Sequence, residues 1–66
     1  MKVLAIESSS ITASVAIVMD DMLTAEYTIN HKKTHSQTLL PMIAQICKIA
    51  ETPMNSIDLI AVSNVN

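Results

Sequence analysis

The sequence predicts an α/β fold, a mixed sheet with an antiparallel meander, in the order β-β-β-α-β. Three observations carry that expectation. Residues 3–6 (VLAI) and 14–19 (SVAIVM) are apolar on both parities, as in strands covered on two faces. Residues 22–29 alternate instead, with Leu23, Ala25, Tyr27 and Ile29 on one parity and Thr24, Glu26 and Thr28 on the other. After a polar connector, Leu39, Leu40, Ile43, Ile46, Cys47 and Ala50 recur at the spacing of one helix face.

The first strand stops after four apolar residues, at Glu7 and the serines Ser8, Ser9 and Ser10. The second is β-branched and interior in character. Asp20-Asp21 turns the chain into the third strand, because aspartate tolerates positive φ better than most residues; a glycine there would be a stronger hairpin signal. The alternation of the third strand gives it one wet face and an edge position. With Thr38 as N-cap, Pro41 falls at N3 of the helix, where its missing N–H is an orphan donor anyway. Glu51-Thr52-Pro53 ends the helix, since the residue before proline avoids the helical region. Residues 57–62 (IDLIAV) form a fourth strand, which a helical crossover returns to the same sheet in parallel.

Composition excludes several classes. Half of the 66 residues are apolar and 15% are charged, which is not the balance of a disordered chain. The net charge of −2, with no arginine, gives no electrostatic footprint for nucleic acid, so any RNA contact is expected to run through a partner. Cys47 is alone, which rules out an internal disulfide and fits a reducing compartment. The opening apolar run is far shorter than a signal h-region, and no segment nears the roughly 18 apolar residues of a membrane span. The cytoplasm is the expected location. Glycine is absent, against roughly 7% in average usage, so phosphate loops built on glycine are excluded.

These elements do not close into a core. One helix of about 15 residues cannot shield both faces of a four-stranded sheet whose inner strands are apolar on both sides. A bare face of that kind exceeds the few hundred Å² of apolar patch that monomers tolerate. Residues 1–66 therefore read as a single partial domain, expected to associate with a partner or with itself.

A strand ending in a carboxylate, followed by a hairpin, resembles the first phosphate hairpin of the actin/Hsp70/sugar-kinase superfamily, whose lobes are RNase H-like. A narrower resemblance is to the N-terminal segment of the TsaB (YeaZ) family. It rests on MKVLAIESSS with SVAIV, on AEYT, on HSQTLLPMI and on IDLIAVSN, in the family's order and spacing. HS-x-x-LLP is the most distinctive of these. Two departures stand beside it: the family usually carries aspartate where this chain has Glu7, and a glycine-rich loop normally follows the last strand, where this chain has Ser63-Asn64-Val65-Asn66. The resemblance implies an accessory, non-catalytic subunit of tRNA threonylcarbamoyladenosine biosynthesis. Such a subunit pairs with the catalytic paralogue TsaD, works alongside a TsaE-like ATPase, forms homodimers and holds no cofactor of its own. The same kinship attaches a glycoprotease or transferase label to many members.

Glu7, Ser8, Ser9 and Ser10 are the candidate cofactor-binding residues, since a carboxylate takes Mg²⁺ and hydroxyls donate to the phosphates of ATP or ADP. The plainer reading, a polar strand end with a serine-rich turn, is favoured, because nothing here lets backbone approach a phosphate closely. His31 and His35 are four apart, but two lysines sit between them and no general-base glutamate accompanies them, so no metal site and no peptidase site is expected. His35-Ser36 instead orients the helix start. Cys47 reads as core, Met42 and Met54 as gap-fillers, and Tyr27 as packed with a wet hydroxyl. No catalytic residue is expected. The alternatives are an ATP-dependent phosphotransferase or TsaD-like fragment, or a structural piece with no activity.

Overall fold

The computed structural model describes residues 1–9, 11–30 and 35–64, with side chains given for all of these except 35–38. Its elements are β1 (Lys2–Ser8), β2 (Thr12–Met19), β3 (Met22–Asn30), α1 (His35–Ile49), a single 3₁₀ turn (Met54–Ser56) and β4 (Leu59–Asn64). The sheet order is β3-β2-β1-β4. The first three strands form the expected antiparallel meander, and β4 pairs with β1 in parallel.

The turn between β2 and β3 uses two aspartates at positive φ, 51° at Asp20 and 67° at Asp21. Positive φ at both central residues is the habit of type I′ turns, whose twist matches the strands they join. The far end of α1 closes without glycine as well. Glu51 takes φ 53°, while Thr52 N–H donates to the Cys47 carbonyl and Glu51 N–H to the Lys48 carbonyl, a Schellman motif. Thr52 is buried, and its hydroxyl donates to the Ala50 carbonyl, so the cap leaves no polar orphan there.

Three expectations are corrected. The helix starts at His35, so Thr38 is not its N-cap and Pro41 lies inside α1, well past the first turn. The missing N–H of proline told only that the helix begins upstream, not how far. On β3, Leu23 does not share a face with Ala25, Tyr27 and Ile29. Ile17 pairs with Ala25 but Val18 pairs with Leu23, so Thr24 is an extra residue in a β-bulge. One inserted residue sends everything beyond it to the opposite face. The last strand also begins later than residue 57, because the 3₁₀ turn and Asp58 come first; the Lys2 N–H donates to the Asp58 carboxylate at 2.7 Å.

Among the described residues, the core lies on one side of the sheet. Leu4, Ala13, Val15 and Ile17 meet Met42, Ile46 and Cys47 of α1, with Tyr27 and Ile29 packed at the margin. Cys47 is core as expected; of the two methionines read as gap-fillers, Met42 is buried and Met54 is exposed. The helix lies over β2 and β3. Every residue of β4 is exposed, Val62 by 70%. The opposite face of the sheet, carrying Val3, Ala5, Ala16 and Val18, has no element over it among the described residues. The whole chain exposes 4548 Å², roughly 10% more than a folded monomer of its mass is expected to show. No described helix is long and apolar enough to cross a membrane.

Candidate functional site

The carboxyl ends of β1 and β4 lie side by side, because the two strands run parallel with Glu7 beside Ser63 and Ser8 beside Asn64. In open α/β sheets, ligands gather at such carboxyl ends. Alternation along β1 then divides the sequence-derived candidates. Glu7 lies on the open face, in one cross-strand row with Ser14, Thr28 and Ser63. Ser8 lies on the face that carries α1, where its hydroxyl meets Asn64 Oδ1 at 3.3 Å.

Ser9 is committed to the β1–β2 turn. Its N–H donates to the Thr12 carbonyl at 2.8 Å, and its Oγ accepts from the Thr12 N–H at 3.1 Å. Ser10 lies outside the described residues, as does His31. His35 and Ser36 stand in the first turn of α1, with their side chains outside the description. The three described candidates, Glu7, Ser8 and Ser9, therefore do not converge: one carboxylate points one way, one hydroxyl the other, and a third group holds a turn.

The structure adds residues that the sequence did not single out. A concavity of about 300 Å³ on the open face is floored by Ala5, Ala16 and Ala61 and rimmed by Glu7, Glu26, Ser14 and Ser63. The three alanines form one cross-strand row ending at Glu26, which explains the hollow: a row of methyl groups lies between larger neighbours. Glu26 was legible as a wet-face residue of β3, but its nearness to Glu7 depends on strand pairing. Ser63 and Asn64 become partners only through the parallel register with β1, which no local pattern reveals. Ser14 Oγ lies 2.9 Å from Thr28 Oγ1, so those two hydroxyls satisfy each other.

The rim carries two carboxylates and no basic group, which opposes a bare phosphate and favours a cation. Among the described residues, no three His, Cys, Asp or Glu side chains cluster in a way that would hold a metal ion. At the opposite end of the sheet, the Met1 amine bonds the Asp20 carboxylate at 2.8 Å. That hydrogen bond, aided by the charge, raises the amine's pKa and lowers that of Asp20. Both groups are largely exposed, so the pair positions the turn more than it stabilises the fold.

A mixed sheet ordered β3-β2-β1-β4, with one helix on one face and a bare parallel strand at the edge, defines an α/β segment of an RNase H-like lobe. The particular likeness is to YeaZ, and the chain is consistent with an N-terminal piece of the TsaB (YeaZ) fold. It superposes on YeaZ from Pseudomonas aeruginosa with a TM-score of 0.81 and 26% identity, over 92% of this chain and 28% of that one. It matches equally well the crystal structure of an uncharacterized protein with similarity to peptidase YeaZ from Pseudomonas aeruginosa. The chain thus spans just over a quarter of the proteins it resembles. No protein-family model matches the sequence. No curated protein sequence matches it either.

Proposed function

We propose that this chain is a single partial domain from the N-terminal end of an accessory, non-catalytic TsaB-type subunit. Its role is to bind protein: a TsaD-like catalytic paralogue, a TsaE-like ATPase and a second copy of itself, in the cytoplasmic synthesis of threonylcarbamoyladenosine on tRNA. One observation carries the reading, namely that β4 and the open face leave apolar surface bare on a chain of this size. Surface of that kind favours association over solitary existence. The division of Glu7, Ser8 and Ser9 between two faces and a turn supports a role without catalysis or cofactor. Net charge of −2 supports reaching RNA through the paralogue and not directly.

The test is binding of purified chain to its TsaD-like paralogue by calorimetry, with the tRNA modification measured in cells whose copy carries Ile60→Lys and Val62→Lys. Saturable binding, and modification lost in the variant, support the proposal. Absent binding, with modification intact in the variant, overturns it.

A second reading has its own support. Glu7 and Ser63 meet at the carboxyl ends of two parallel strands, where an ATP-dependent phosphotransferase would hold its nucleotide with Mg²⁺. ATP affinity that needs Mg²⁺ and disappears in Glu7→Ala would favour that enzyme over the accessory subunit.

A further inference from the structure

We draw no further inference here: the strongest candidate, the concavity on the open sheet face floored by Ala5, Ala16 and Ala61 and rimmed by Glu7 and Glu26, is an unpartnered face of small residues with two carboxylates, and nothing in the structure shows what covers it.

Discussion

Strands β1 and β4 lie side by side and read almost alike, VLAI against LIAV, yet VLAI is half-buried with Leu4 fully so, while LIAV is exposed throughout. Leu4 is fully buried, while its register partner Ile60 is half exposed. The two residues share composition, strand type and sheet face. They differ in cover: Leu4 joins the cluster under α1, whereas Ile60 is one strand beyond the helix. Among the described residues, burial is set by the reach of α1, not by how apolar a strand is. Among the described residues, no second layer covers the β4 side.

The comparison can be broken first at its covered half. Leu4→Ala or Ile17→Ala leaves a cavity in the buried cluster, at a cost of about 2–5 kcal/mol. For a chain this small that is most of its stability, so urea unfolding should show loss of the folded baseline. Val62→Ala, on the bare strand, should move the same curve by about 0.5 kcal/mol or less. Equal costs at the two positions would mean that β4 is covered in solution.

The exposed half is tested by charge. Ile60→Lys with Val62→Lys should leave the fold intact, since lysine on an edge strand blocks strand-to-strand pairing without disturbing the core. The concentration dependence of the sedimentation coefficient should then vanish while the circular dichroism spectrum stays unchanged. Self-association that survives both lysines would move the adhesive surface away from β4.

Smaller effects sharpen the picture at the helix end. Glu51→Gly should stabilise the chain by about 0.5–1 kcal/mol, because the C′ position at positive φ imposes a penalty on any side chain. A loss of stability would mean that the Glu51 side chain makes a contact worth more than the backbone strain.

The least effect comes from the Met1–Asp20 pair. The amine's pKa is raised, so its contribution is full below the unfolded value and fades as pH climbs through the folded one. Asp20 is lowered, so its share is full above its unfolded value and fades as pH falls through the folded one. Asp20→Asn keeps the tolerance for positive φ and should flatten both limbs of a thermal midpoint profile. An unchanged profile would show that the pair contributes nothing measurable in solution.

Much of this architecture was legible because it is written in local patterns. Two-sided apolar runs, one alternating run, the aspartate turn and the proline-bounded helix end each depend on neighbouring residues only. Leu23 was misplaced because alternation counts residues and a bulge does not. The start of α1 was misjudged because Pro41 limits where a helix can begin without fixing where it does. The candidate site was least legible. Glu7 and the serines were found together in the chain, but strand pleating sends successive side chains to opposite faces, and Ser63, Asn64 and Glu26 join Glu7 or Ser8 only through register.

Sedimentation of the chain over a wide concentration range tests the central claim most directly. We expect mass that rises with concentration, reversibly and without unfolding, as bare strand and bare face find protein to rest against. A folded species that stays monomeric up to its solubility limit would contradict it.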